Sequence, residues 1–443
     1  MEVLRQCLPP SVRPTLRELP ESLDRTYERI LKEIRKPNKR LAQRVLQCLV
    51  FAVRPLRVEE LAEVLAVDFD DAQGIPRLKP DWRWEEQELA LLSACSSLIV
   101  IVEADSKAET DDGSSHDNSR VVQFSHYSVK EFLTSPRLAT AGGEVSKYHI
   151  DLEPAHATLA QACLGVLLQI QGGIDTHTHF VHPARYAAEH WATHAQLGKV
   201  SSRLRKGMEY LFDANKPHFK AWLTLCDIDT CPQDSATFYY MTPSYKSPAV
   251  PLYYAALCGF YDLVEHLIAN NPQDVNADGG YYARPLVAAL AGEHFQTADL
   301  LRHNGADLHV RGKYGSNPLH AAAHSGNFEV VRKLIEYDSA NLHAADEGGS
   351  TPLHWASKCR DIKGGSVLRL LLEHGADINV QNRIGRTPLH WASFDESLEA
   401  VRLLLEYGAD VGAKDDFGKT AMQEAAERRR DDVVELLREY GAK

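Results

Sequence analysis

The chain has 443 residues, 44% hydrophobic and 25% charged, with a formal net charge of -12 and a pI near 5.9. This is the composition of an ordinary globular protein, and its acidity argues against the basic face a nucleic-acid partner needs. Eight cysteines, at 7, 48, 95, 163, 226, 231, 258 and 359, form no C-x-x-C pair. They read as reduced thiols of a cytoplasmic protein, with the nucleus as a second compartment. The N-terminal MEVLRQCLPPSVRP has no apolar signal core, and the longest apolar runs, such as Leu98–Val102, are too short to cross a bilayer. No membrane attachment is expected.

Residues 1–20 are proline-rich and read as an extended linker. Leu23, Tyr27, Ile30, Leu31 and Ile34 have helical spacing, and Pro37 stops that helix. Leu41–Val53 predicts a second helix, broken at Arg54-Pro55. Val58–Leu65 predicts a third, with Glu59 and Glu60 suited to its positive end, and Glu85–Cys95 a fourth. Two β-like runs follow, Ser97–Glu103 and Arg120–Ser125, separated by EADSKAETDDGSSHDNS. That acidic, serine-rich segment, about 104–119, is expected to be disordered. Tyr127–Leu133 closes the region as a short helix. Helices followed by a two-stranded ribbon with a long tip describe a winged-helix domain over 21–140, here with an acidic wing. Ala155–Gln169 and Tyr186–His194 belong to a helical linker domain over 150–235.

From 247 to the end the chain repeats. Prolines at 251, 285, 318, 352 and 388 are spaced by 34, 33, 34 and 36 residues. They open PLYYAALCGFYDLVEHLIANN, PLVAALAGEHFQTADLLRHNGAD, PLHAAAHSGNFEVVRKLIEYD, PLHWASKCRDIKGGSVLRLLLEHGAD and PLHWASFDESLEAVRLLLEYGAD. A sixth copy starts at Thr420, with Gln423 in place of the histidine and a charged run, Glu427–Asp432, suited to an end cap. Threonine before the helix, proline at its first position, a second helix on Leu398, Val401, Leu404 and Leu405, and a terminal Gly408 give each unit a physical logic. Val250 and Tyr253 replace threonine and histidine in the first copy, and Arg284 and Val287 in the second. Residues 361–365 of the fourth carry an insertion expected to lengthen the turn between its helices. Period and T-P-L-H-x-A signature resemble the ankyrin repeat. The fold class is therefore mainly α: a winged-helix domain and a helical linker domain, followed by an ankyrin-repeat α-solenoid.

The first half carries a second resemblance. LPESLDRTYERIL, RPLRVEELAEVLAVD, SACSSLIVI and FSHYSVKEFL, followed by AHATLAQACLGVLLQ and YAAEHWATH, are similar to the segment after the NTPase domain of fungal NACHT-type receptors. The phosphate-holding string G-x-x-x-x-G-K-[ST] of that family is not in this sequence. The chain then looks like the C-terminal part of such a receptor, a truncated or split product without the NTPase. The resemblance implies that His126, opening a helix after a strand, senses the nucleotide of an NTPase partner docked on the winged helix. Against this stands a histidine that merely packs the start of its helix.

Other chemistry is weaker. His177, His179 and His182, with His190 and His194 at helical spacing, raise a metal site, but Trp191 stands where a zinc-protease string needs glutamate. His320, His354 and His390 recur at one repeat position and belong to the fold. No nucleophile elbow, Cys–His string or paired-carboxylate signature appears, so no enzyme activity, cofactor or metal is expected. Binding is expected at the solenoid's loop tips, where Tyr281, Tyr314, Gly348, Ile384 and Phe417 align as an apolar row beside Lys313, Glu347, Arg383 and Asp416. Phe394 and Asp395 extend it at the end of an inner helix. Such a row is an expected protein-recognition line. The function read from these features is a non-catalytic interaction scaffold. The alternatives are a regulator of a partner NTPase and, more distantly, a DNA-associated transcriptional regulator.

Overall fold

A computed structural model describes residues 23–69, 75–103, 120–170, 181–198, 200–226, 228, 249–358 and 362–441. The linker 1–20, the acidic segment 104–119, and His177 and His179 lie outside them. The chain divides into two compact units, Met1–Asp227 and Ile228–Lys443.

In the first unit, α1 (Leu23–Glu33), α2 (Lys39–Phe51), β1 (Leu56–Arg57), α3 (Val58–Leu65) and a small ladder of β2 (Val67–Asp68) with β3 (Arg77–Leu78) come first. Then follow α4 (Gln87–Cys95), β4 (Ile99–Glu103), β5 (Arg120–Phe124), α5 (Tyr127–Leu133) and α6 (Pro136–Thr140). The strand order is β1-β5-β4, all antiparallel, with Leu56 opposite Val122 and Ile101 opposite Val122 on the other side. This is the winged-helix arrangement, with one strand more than the two-stranded ribbon expected. Two residues after a proline are too few to show alternation, so β1 left no periodic signal.

The helices α7 (Leu152–Leu167), α8 (Val181–Ala195), α9 (Val200–Arg203), α10 (Arg205–Leu211) and α11 (Pro217–Leu225) complete this unit. Trp191, Phe212, Phe219 and Trp222 form an edge-to-face and tilted aromatic cluster, and the Trp222 indole donates to the Ala188 carbonyl at 3.0 Å. The contact between winged helix and helical region is apolar around Phe51, Val67 and Pro76 and polar around Arg54. Arg54 clamps the buried Glu60 with two nitrogens at 2.7 and 2.8 Å and lies 3.7 Å from Glu189. His194 contacts His156 at 2.8 Å and the Tyr186 hydroxyl at 2.9 Å, so both of its nitrogens are engaged. Burial, then the neighbouring histidines, push the His194 imidazole down to about 3. Such a histidine is a structural neutral base. Among the described residues no group of three or more His, Cys, Asp or Glu side chains could hold a metal ion.

The second unit is a stack of six helix pairs, α12 to α23. The inner helices are Pro251–Leu257, Pro285–Ala291, Pro318–Ser325, Pro352–Ser357, Pro388–Phe394 and Ala421–Glu427. The outer ones are Tyr261–Asn270, Phe295–His303, Phe328–Tyr337, Ile362–Glu373, Leu398–Glu406 and Asp431–Glu439. Buried Ala255, Ala288, Ala321, Ala356 and Ala392 let neighbouring inner helices approach closely. The insertion in the fourth repeat is not simply a longer turn. Residues from Ile362 on are helical and give that outer helix 12 residues against 9 or 10 in the others, because Ile362–Gly365 contains no breaker other than glycine.

Histidine ties the repeats together. Nδ1 of His354 accepts the Thr351 N–H at 3.1 Å, which places the proton on Nε2, and Nε2 donates to the Arg386 carbonyl of the next repeat at 2.9 Å. His320 and His390 make the same bridge to the Ser350 and Lys419 carbonyls. In the first copy the buried Tyr253 hydroxyl instead accepts the Tyr282 N–H at 3.0 Å. A Cβ on Gly280 would lie 2.3 Å from that ring, so glycine is required beside it. In the sixth copy the Gln423 side-chain oxygen accepts the Thr420 N–H at 3.0 Å.

Two outcomes follow. The turn between inner and outer helix needs a left-handed residue, which is Gly259 and Gly326 in two copies but Glu293, Glu396 and Arg429 in others, at φ 58 to 61. Arg429→Gly is expected to stabilise the protein by about 0.5–1 kcal/mol in urea denaturation, while Arg429→Ala gains nothing. Burial, above all, holds His320 and His354 down to about 4, from an ordinary 6.5. The unfolded chain therefore takes up protons first, and stability falls as pH drops from 6.5 towards 4. His354→Ala should cost about 2–4 kcal/mol at neutral pH, yet show a shallower loss over that range than wild type.

Candidate functional site

The loop tips are built by short acceptor side chains. Asp346 Oδ1 accepts the Gly348 and Ser350 amides, each at 2.8 Å. Asn382 Oδ1 takes the Ile384 and Arg386 amides at 3.2 and 3.0 Å, and Asp415 Oδ1 the Phe417 and Lys419 amides at 3.0 and 2.9 Å. Burial pushes the Asp415 carboxyl up, but those amides and Arg386 outweigh it and hold it below its ordinary value. Each turn is thus tied by its own first side chain. The third repeat has Gly312 there. Arg311 takes over, its Nη1 donating to the Gly315 and Ala345 carbonyls at 2.8 and 3.0 Å, and Tyr314 sits in the left-handed region at φ 62.

Successive tips are joined by backbone. The Glu347 N–H donates to the Tyr314 carbonyl at 2.8 Å, Arg383 to Gly348 at 2.9 Å, and Asp416 to Ile384 at 3.1 Å. The aligned positions therefore stand on one hydrogen-bonded strip. On it Tyr314 is 54% exposed, Ile384 42% and Phe417 71%, with Glu347, Arg383 and Asp416 exposed alongside. Lys313 lies in the same turn as Tyr314. The asparagine and aspartates four residues before Ser350, Arg386 and Lys419 were a visible signal for these turns. The strip itself was not visible, because backbone pairing between repeats has no residue code.

Two expected members do not share this exposure. Tyr281 is half-buried, edge-on to Tyr282 at 5.0 Å, so the exposed row starts at Tyr314. Phe394 is half-buried under the Arg428 guanidinium, 3.4 Å from the ring centroid, with Arg386 at 5.9 Å on the ring as well. Arg428 is held in turn by Glu424 at 3.2 Å, so a neighbouring repeat covers the face expected to meet a partner. Asp395 beside it is likewise only partly exposed.

His126 sits at the cap of α5. Its Nδ1 accepts the Ser128 N–H at 3.2 Å and lies 2.6 Å from the Ser128 hydroxyl, with its ring 4.4 Å from Tyr127. The imidazole is exposed and Tyr127 is 72% exposed, so His126 caps its helix without packing into the core. Cys48, Cys95 and Cys258 are buried, and burial pushes each thiol up to about 12. They are inert as nucleophiles.

Comparison with known proteins agrees with both halves. Residues 286–382 and 362–443 each match a family model described as ankyrin repeats (3 copies). Residues 27–142 match the GPI inositol-deacylase winged helix domain. The chain carries ankyrin repeats and a winged-helix domain of that type. It is 31% identical over 294 residues to azaphilone pigments biosynthesis cluster protein L of Monascus ruber. The match covers 63% of this chain and 59% of that relative's length.

The tip glycines test the strip. Gly385 has φ 71, and a Cβ there would lie 2.8 Å from the Asp416 nitrogen. Gly385→Ala is expected to cost about 1–3 kcal/mol and to speed hydrogen exchange at the Asp416 amide, with amides of the first two repeats unaffected.

Proposed function

We propose that the protein is a non-catalytic interaction scaffold that recognises a protein partner along the tip strip Tyr314–Ile384–Phe417. Ankyrin repeats generally mediate protein interactions. The observation that carries this reading is three large apolar side chains exposed at equivalent positions of a strip whose backbone is already fixed. Such side chains lose little conformational freedom on binding, and their neighbours Glu347, Arg383 and Asp416 supply mixed charge at the rim. The backbone polar groups of the tips are largely spent on one another, so recognition falls to side chains.

The wider setting is a NACHT-type signalling lineage, supported by the winged-helix match over 27–142 and by the run of motifs through YAAEHWATH. In that setting the chain contributes recognition and docking, and an NTPase would be supplied as a partner. The exposed His126 edge favours this second contact: a regulatory role on a partner NTPase, with His126 near its nucleotide. The Monascus relative is named for a pigment biosynthesis cluster, which suits a scaffold serving biosynthetic proteins. No helix among the described residues is long and apolar enough to cross a membrane, which is compatible with a cytoplasmic location.

The combined variant Tyr314→Ala, Ile384→Ala, Phe417→Ala tests the strip. It should lose partners captured by wild-type protein from its native extract, at an unchanged melting temperature, since exposed residues contribute within about 0.5 kcal/mol each. An unchanged set of captured proteins rejects the strip as the site. A His126→Ala variant that alters binding to an NTPase partner only with ADP present would support the second reading.

A further inference from the structure

Counted from α2, in the order α2, β1, α3, α4, β4, β5, helix α4 stands third and occupies the place where DNA-reading winged helices present their recognition helix. Here its outer face is apolar and acidic. Leu89 is 63% exposed and Leu92 is 38% exposed, one helical turn apart. With Val58 at the start of α3 they line a groove of about 520 Å³. Glu59, Glu85 and Glu86 line the same groove, and no lysine or arginine does. Glu88 lines it too, but is held by Arg120 of β5. Helix dipoles account for glutamates at the N-terminal ends of α3 and α4. They do not account for two leucines turned to water between those ends, a desolvation gain left unused in the isolated chain.

We propose that the groove between α3 and α4 docks a basic amphipathic helix of a partner protein, with apolar residues on Leu89 and Leu92 and lysines or arginines against Glu59, Glu85 and Glu86. Charge complementarity selects this occupant. A phosphate backbone would meet unneutralised carboxylates, and a second copy of the same groove would set like charges against each other. This surface is separate from the loop tips and does not depend on their role.

The test uses the full chain and a labelled synthetic helical peptide of about 18 residues, leucine on one face and lysine on the other. Binding is followed by fluorescence anisotropy at about 150 mM salt, where long-range attraction to a net acidic protein is screened. Leu89→Ser/Leu92→Ser and, separately, Glu85→Lys/Glu86→Lys should each weaken binding about tenfold or more. The triple tip variant should bind as wild type does. The altered side chains are exposed, so unchanged melting curves confirm folding. The proposal is overturned if the peptide binds both groove variants within about twofold of wild type, or fails to saturate wild type below about 100 μM. It is also overturned if the groove variants abolish duplex-DNA binding or convert a dimer to a monomer, because either result names a different occupant.

Discussion

The tip strip in the second half of this protein depends on one hydrogen bond made three times: an imidazole of one repeat donating to a carbonyl of the next. A single helix pair cannot bury its apolar face, so every unit relies on its neighbour. The histidine does two jobs at once. Nδ1 accepts an amide at the start of its own helix, and Nε2 fixes the distance to the following tip. With that distance set, the tips are close enough for backbone to pair with backbone. Tyr253 and Gln423 stand at the histidine position in the first and sixth copies. The first reaches forward with a hydroxyl that accepts instead of donating, and the second satisfies only its own repeat.

The strip of tips is a consequence of that spacing. Once Asp346, Asn382 and Asp415 hold the turns, the residue before each glycine has nowhere to go but outward. Gly348 uses that position for nothing, whereas Tyr314, Ile384 and Phe417 make it apolar. Tyr314 does so from a left-handed backbone that most non-glycine residues avoid, and the Arg311 clamp to two carbonyls holds it there. In the first unit the analogous constraint is the polar contact around Arg54, Glu60, Tyr186 and His194. Arg54, which reaches Glu60 and Glu189, and the Val53 N–H on the Tyr186 hydroxyl cross from the winged helix to the helical region, while His194 ties that region to itself. The outer face of α4 is left with leucines and carboxylates, a surface unlike that of a DNA reader.

Much of this was legible from residues alone. Proline spacing, threonine or asparagine before it and glycine after the outer helix located the repeats, because each answers a local need of the backbone. The end of α5 at Leu133 and the stop of α1 before Pro37 were likewise local. The missing pieces were non-local. Strand β1 is two residues long and exists only because Val122 lies opposite Leu56. Phe394 looked available in the aligned repeats, yet it lies beneath Arg428 of the next one. A sequence column records what a position holds, not what a neighbouring repeat lays over it.

The sequence by itself determined the helix starts and stops, the number and period of the repeats, the histidine that links them, and the net acidic charge. These follow from short-range rules: capping, the fixed φ of proline, periodic burial and net charge. Only the tertiary structure decided which tip residues stand in water, which carbonyl each imidazole reaches, and that Leu89 and Leu92 share a groove with Glu59. Those are outcomes of packing between segments 29 or more residues apart, where distance in space is set by every helix in between.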